Sequence, residues 1–265
     1  METIEGLIPA VLAAGRMAVQ EQKKVTRSYK DDGSILTQVD KDVDQALSEE
    51  IASRFPEANI ITEESLREFD KNREFTFAVD PIDGTDSFSQ GMPGWCISVG
   101  LLDSQLTPVA GIVYAPKWGA GADHGSLLFA DLGKAPLYNE QPVEVIDYKA
   151  EISTADQMMI GSKLLKHFDL SRFPGKCRNV GSTVIHMLAQ LMHIGIIGAL
   201  LDPPHIWDIA GAHAILKAHG LSLEYLNKGS IDYRELLDGS TAGDYILSGT
   251  EPVMAAIHRL VAPNP

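Results

Sequence analysis

The sequence predicts a mixed α/β (α+β) fold built from two halves, residues 1–145 and 146–265. Three observations lead there. In the first half, two amphipathic helices are followed by short apolar strand segments. In the second half, strands and helices alternate, the pattern of an α/β unit. A length of 265 residues with 45% hydrophobic content suffices for a sizeable core.

In the first half, Ile4, Leu7, Ile8, Val11 and Leu12 recur at helical spacing. "KDDGS" at 30–34 is turn chemistry. Thr37 or Asp40 opens a second helix with Val43, Leu47, Ile51 and Phe55 on one face. "NIIT" (59–62) and "FTFAV" (75–79) are strands that end at acids, Glu63–Glu64 and Asp80. "WCISVGLL" (95–102), "TPVAGIVYAP" (107–116) and "GSLLFA" (125–130) continue a mostly antiparallel sheet. In the second half, strands are expected near 157–160, 177–180, 196–201, 222–226 and 245–248. Helices are expected at 163–168, 182–194, 207–219 and 250–260. The apolar run 184–201 has the length of a membrane span, but His186, Gln190, His193 and two glycines interrupt it. It reads as a helix, a turn at Gly195 and a buried strand.

The chain carries 22 basic and 36 acidic residues, a formal net charge of -14. Such a surface argues against a nucleic-acid polymer or an anionic membrane as partner. An anionic substrate would need local positive charge. Cys96 and Cys177 are far apart in apolar settings, so a disulfide framework is not expected and a cytoplasmic setting is. The N-terminus has acids where a signal peptide has bases. No Gly-rich dinucleotide fingerprint or P-loop is present, which sets aside a nucleotide-cofactor enzyme.

"VDPIDGTDSF" (79–88) crowds Asp80, Asp83 and Asp86 into seven residues. Taken singly, Asp-x-x-Asp-Gly is an ordinary turn, Glu63–Glu64 a solvated strand end, and Asp208 a helix cap. Together they put carboxylates at strand ends and a helix start, facing a common crevice. Hard oxygen ligands of this kind suit Mg²⁺, completed by substrate phosphate. Pro81 stiffens the chain, and Ile82 offers only its carbonyl oxygen. Gly84 permits close approach to an anion, and Thr85 starts a helix whose free N–H groups can hold phosphate oxygens. His186 and His193 lie on an apolar helix without a matching ligand set and read as core or edge histidines. Cys96, Met158 and Met159 read as core packing.

"TQVD", "TEES", "DPIDGTDSF" and "WDIAGA" resemble, in order and spacing, the four signatures of the inositol monophosphatase family. These are Mg²⁺-dependent, lithium-sensitive phosphatases, and the resemblance runs from about residue 30 to 260. It implies a layered α-β-α-β-α sandwich of the inositol monophosphatase/fructose bisphosphatase type. It implies hydrolysis of a small phosphate monoester by a metal-activated water, with two to three Mg²⁺ ions. By resemblance, Glu63, Asp80 and the Ile82 carbonyl hold the first ion, and Asp80, Asp83 and Asp208 the second. A third, weaker ion would sit by Glu63 through water. Asp40 and Thr85 would orient the attacking water. Asp83, Gly84, Thr85, Gly181, Ser182, Thr183 and Asp208 would face the substrate. Lys30 resembles the family's lysine near the third metal; a solvated loop lysine is its alternative reading.

The resemblance leaves the substrate open among inositol, bisphosphate-nucleotide, histidinol and fructose phosphates. It also leaves a non-catalytic member that binds a phosphorylated ligand. In inositol-selective relatives a Glu seven residues before the "WD" aspartate meets the ring hydroxyls. Here that place holds Leu201, with Asp202 one residue off and His205 closer to the site. A homodimer is implied by the resemblance alone.

Overall fold

The computed structural model describes residues 3–30, 33–65, 68–119, 125–131, 133–144 and 151–264. The expected boundary at 145/146 lies outside the described residues. After a short 3₁₀ turn, α1 (Ile8–Glu21) leads to a small hairpin, β1 (Ser28–Tyr29) with β2 (Ile35–Leu36). Helix α2 (Gln38–Arg54) opens with a capping box: the Thr37 amide donates to Asp40 Oδ2 at 2.9 Å. Phe55 stands just beyond its last residue.

A seven-stranded sheet comes next, with its strands in chain order. Its members are β3 (Asn59–Thr62), β4 (Thr76–Asp83), β5 (Cys96–Leu102), β6 (Pro108–Ala115), β7 (Ser126–Asp131), β8 (Leu137–Tyr138) and β9 (Gln141–Pro142). Only β3–β4 is parallel. A single short helix, α3 (Thr85–Ser89), interrupts it after β4.

The second sheet has six strands in the order β12-β10-β13-β16-β14-β15. They are β10 (Gln157–Ile160), β12 (Lys176–Arg178), β13 (Ile196–Leu201), β14 (Ser222–Tyr225), β15 (Gly229–Ser230) and β16 (Ile246–Gly249). Strands β10, β12 and β13 run parallel, and the rest pair antiparallel. Helices α4 (Thr183–Met192), α5 (Ile206–Ala218) and α6 (Glu251–Leu260) complete it. A further strand pair joins β11 (Phe168–Asp169) to β17 (Ala262–Pro263).

Side-chain alternation along the strands sorts the core into layers. Phe77, Val79, Ile97 and Val99 pack with Val11, Val43 and Leu47 of α1 and α2. Ala78, Cys96 and Val113, on the opposite face, pack with Leu188 of α4 and Ile209 of α5. Met158, Ile197 and Leu247 cover α6 on the far side. The order is therefore α-β-α-β-α, as the resemblance implied. Helix α5 comes so close to the first sheet that a Cβ on Gly100 would lie 2.5 Å from the Gly211 backbone nitrogen. No described helix is long and apolar enough to cross a membrane; 184–201 divides into α4 and β13 around Gly195 at φ 90°.

Three expectations change. The helix expected at 163–168 is one 3₁₀ turn, Leu164–Lys166, followed by β11. Six residues give too few hydrogen bonds to offset helix nucleation, and Phe168 is drawn into the α6-side core. The strand expected at 177–180 ends at Arg178, because Asn179–Gly181 leave the sheet to form the turn before α4. The strand expected to stop at Val79 continues to Asp83.

Candidate active site: a buried carboxylate cluster

That last difference builds the site. In a regular strand, residues three apart point to opposite faces. Asp80 pairs with Ser98 and Asp83 with Cys96, so β4 spends one more residue than β5 between these pairs. This bulge returns Asp80 and Asp83 to the same side. Pro81, which has no N–H to give a ladder, sits inside the irregularity where none is needed. Ile82 anchors the bulge with a side chain only 1% exposed, and its amide donates to Asp80 Oδ1 at 3.0 Å.

Asp208 arrives from the third position of α5, where its Oδ2 accepts from the His205 amide at 2.7 Å. One oxygen each from Asp80, Asp83 and Asp208 lies within 4.8 Å of the others. Burial pushes the Asp80 carboxyl well above the usual range, and the charges of Glu63, Asp83 and Asp208 add to it. Burial also raises Asp83 and Asp208. A buried set of like charges is a site that a divalent cation would stabilise.

The two aspartates of β4 are satisfied differently. Asp83 accepts from the Ser182 hydroxyl, from the Val184 amide at 2.8 Å and from the Thr183 amide at 3.3 Å. These donors form the N-terminus of α4, whose dipole favours a negative charge. Asp80 is met by one N–H, that of Ile82, and by the Asp208 carboxyl.

Asp40 and Thr85 come together although 45 residues separate them. Thr85 Oγ1 lies 3.1 Å from Asp40 Oδ1 and 2.9 Å from the Ile82 carbonyl oxygen. Asp40 is fully buried and also accepts from the Thr37 hydroxyl and amide. Burial raises its pKa, and these hydrogen bonds oppose the rise. Gly84 precedes α3 at φ 93°.

Glu63 comes just after β3, where its amide donates to the Val79 carbonyl at 3.2 Å, and its charge acts on Asp80 and Asp208. Its nearest partner is a cation of the chain itself. Lys30 Nζ lies 2.8 Å from Glu63 Oε1 and 2.7 Å from Glu64 Oε1. Lys30 is thus no free loop lysine. Burial pushes the Glu63 carboxyl up, and Lys30 pulls it down.

Among the expected substrate residues, Gly181 is exposed and Thr183 half-buried. The Ser182 side chain is wholly buried, holds Asp83 and accepts from the Ile185 amide at 3.0 Å. Asp202 Oδ2 accepts from the Lys163 amide at 3.0 Å. His205 donates through Nδ1 to the Gly239 carbonyl at 2.8 Å, and its ring stacks on Trp207 with centroids 4.8 Å apart. His193 Nε2 accepts from Trp118 Nε1 at 2.9 Å. Cys96, Met158 and Met159 are core residues, and both cysteines are free thiols. Sequence reasoning missed the clamp of 182–184 on Asp83 and the bulge. The only signal for the clamp was a Ser before an apolar helix, which by itself marks an ordinary N-cap.

The profile of the inositol monophosphatase family matches residues 2–258. An inositol-1-monophosphatase from Synechocystis is 35% identical over 109 residues, 40% of this chain and 38% of that one. Inositol monophosphatase 1 of Solanum lycopersicum is 26% identical over 218 residues, 77% of this chain and 76% of its own. The 3'(2'),5'-bisphosphate nucleotidase CysQ of Buchnera aphidicola is 26% identical over 223 residues, covering 80% and 79%. Among solved structures, a staphylococcal inositol monophosphatase-1 soaked in 100 mM LiCl superposes with TM-score 0.77, at 18% identity over 98% of this chain and 96% of that one. An IMPase/NADP phosphatase complexed with Mg²⁺ and phosphate gives TM-score 0.75, at 21% identity over 96% and 94%. The carboxylate bulge, the capped Asp40 and the layered sandwich thus sit in a chain that belongs to the inositol monophosphatase family.

Proposed function

We propose that this protein is a Mg²⁺-dependent phosphatase of small phosphate monoesters. The observation that carries the reading is Asp80, a buried carboxylate met by one N–H and under the charges of four further acids, Glu63, Asp83, Asp208 and Asp40. A bound cation would balance that charge and let the carboxylates ionise. Asp80, Asp83 and Asp208 would hold one Mg²⁺, and Asp80 with Glu63 and the Ile82 carbonyl another, Glu63 exchanging its Lys30 contact for the metal. When bound, Mg²⁺ supplies Lewis acidity and charge neutralisation for the phosphate ester.

The chain's own groups do the rest. With the Thr85 proton directed at Asp40, the outward lone pairs of Oγ1 accept from a water and aim it at phosphorus. The first amides of α3, at Gly84 and Thr85, lack intrahelical partners and face phosphate oxygens. The α4 amides aim Asp83, and their hydrogen bonds oppose the rise in its pKa that burial causes. Lithium sensitivity, a homodimer and a cytoplasmic setting complete the reading, from family likeness. The test is hydrolysis of p-nitrophenyl phosphate and a panel of phosphomonoesters, with Mg²⁺ and with EDTA. Equal rates in both would overturn the metal-dependent reading.

A further inference from the structure

His186 is a buried histidine that the phosphatase mechanism does not use. It lies on the first turn of α4, 3% exposed. Its Nε2 accepts a hydrogen bond from the Val180 amide at 2.8 Å. Its Nδ1 is buried with no hydrogen-bond partner among the described residues. Accepting from an amide requires a bare lone pair on Nε2, so the ring is neutral and the hydrogen is on Nδ1. Burial pushes the pKa of this ring down to about 4, in keeping with that state. A buried N–H left without an acceptor costs stability. What the ring does at Nε2 must therefore be worth keeping.

Val180 begins the turn that delivers the donors of Asp83. Its carbonyl accepts from Ser87 Oγ at 3.2 Å, tying the turn to α3. Gly181 is next, at φ 103°, where a Cβ would lie 1.8 Å from Ser87 Oγ, so the turn has no slack on that side. The next three residues are Ser182, Thr183 and Val184, whose hydroxyl and amides reach both oxygens of Asp83. The ring of His186, reaching back from the helix to the amide at the start of the turn, closes the loop 180–186 on itself.

We propose that His186 is a positioning residue for Asp83, acting through the Val180 amide to hold the 180–184 turn in the shape that aims this carboxylate at a cation. The proposal rests on the reading of Asp83 as a metal-binding carboxylate. It assigns no contact between His186 and metal or substrate. Removing the acceptor frees the Val180 amide, loosens the turn and lets Asp83 rotate. The cation then binds less tightly, while the hydrogen bond of the water-aiming pair Asp40–Thr85 involves neither His186 nor the turn.

The experiment compares His186→Leu with His186→Gln, whose amide oxygen can accept from Val180 in place of Nε2. Mn²⁺ affinity is measured by titration calorimetry, and kcat is measured against metal concentration with p-nitrophenyl phosphate. His186→Leu is expected to weaken Mn²⁺ binding by about tenfold, the usual effect of losing a group that orients a ligand. Its kcat at saturating metal should fall much less. His186→Gln should restore affinity to within about threefold of wild type, a rescue that mere core filling by Leu would not need. Unchanged affinity in His186→Leu, or equal losses in both variants, overturns the proposal. If His186→Leu does not fold, His186→Asn, whose amide is too short to reach Val180, takes its place with the same outcomes. Failure of wild type itself to bind Mn²⁺ overturns the phosphatase reading instead, and is seen before any variant is made.

Discussion

The two sheets serve the carboxylate cluster in opposite ways. The seven-stranded sheet supplies charge: Glu63 stands at the end of β3, and Asp80 and Asp83 leave the bulge of β4. The helices between the sheets supply restraint: the α4 N-terminus grips Asp83, and α5 presents Asp208 from its capping box. Asp83 is therefore a carboxylate whose geometry is set by the other sheet's helices. Asp80 is one whose charge is left for something else. The lesson is that like charges can be packed into a core if one is held by a helix dipole and the other is left open to a cation.

The sharpest way to break this comparison is Asp80→Asn. It should lower kcat/KM by on the order of a hundredfold or more, about 2.7 kcal/mol in barrier. The fold should survive, and the metal-free protein should melt higher, because one repelling charge is gone. Retention of more than about a tenth of the wild-type rate would remove Asp80 from the role assigned to it.

Next comes the pair outside the cluster. Thr85→Ala should reduce turnover by about a hundredfold with Mg²⁺ affinity nearly unchanged, since its hydroxyl aims water. Asp40→Asn should behave alike, and the double variant should lose little more than either single one, because the two groups act as a unit. Fully additive losses in the cycle would mean separate roles.

A smaller effect separates the cluster from the buried histidines. Without metal, the folded carboxylates of Glu63, Asp80, Asp83 and Asp208 have raised pKa values, chiefly through burial. Their contribution to stability is present below the unfolded carboxylate range and lost as pH rises through the higher folded values. His186 and His213 run the other way. Burial lowers both from 6.5 to about 4, so their contribution is full above 6.5 and lost as pH falls towards 4. Mg²⁺ should relieve only the alkaline-side loss. Calorimetry should find a metal-induced rise in Tm on the order of 5–10 °C near pH 8, and little at about pH 5. An equal rise at both would place the metal away from the carboxylates.

Much of this was legible because it is local. "NIIT" and the apolar runs of β5, β6 and β13 are buried strands whose composition announces them. The capping box at Thr37–Asp40 is a short-range signal. The illegible parts depend on long-range geometry. The β4 bulge exists only against β5, and the clamp on Asp83 joins residues about a hundred apart. Lys30 could be read as a solvated lysine until the structure placed Glu63 and Glu64 on either side of it. The segment 163–168 looked helical, yet a strand partner at the far end of the chain pairs with Phe168 and Asp169.

The smallest expected effect concerns the leaving group, and it tests what the six-stranded sheet offers beyond restraint. By resemblance, inositol-selective enzymes place a Glu seven residues before the "WD" aspartate to meet ring hydroxyls. Leu201 occupies that place and is 1% exposed, so it presents no group to a ring. Asp202, one residue on, is engaged elsewhere through Oδ2, which accepts from the Lys163 amide at 3.0 Å, and Pro203 and Pro204 stiffen the chain on its C-terminal side. His205 is engaged as well: Nδ1 donates to the Gly239 carbonyl, and Nε2 lies 3.3 Å from Thr241 Oγ1. A ring hydroxyl would thus bind without its usual acceptor. One missing hydrogen bond in a partly solvated site is worth about 1 kcal/mol, about fivefold in rate. Inositol 1-phosphate should therefore show a kcat/KM about fivefold or more below that of the best phosphomonoester in the panel. Leu201→Glu should not repair this, since a carboxylate in so buried a strand position would destabilise the sheet rather than reach the ring. If inositol 1-phosphate ranks first, its hydroxyls are met by groups other than these three residues.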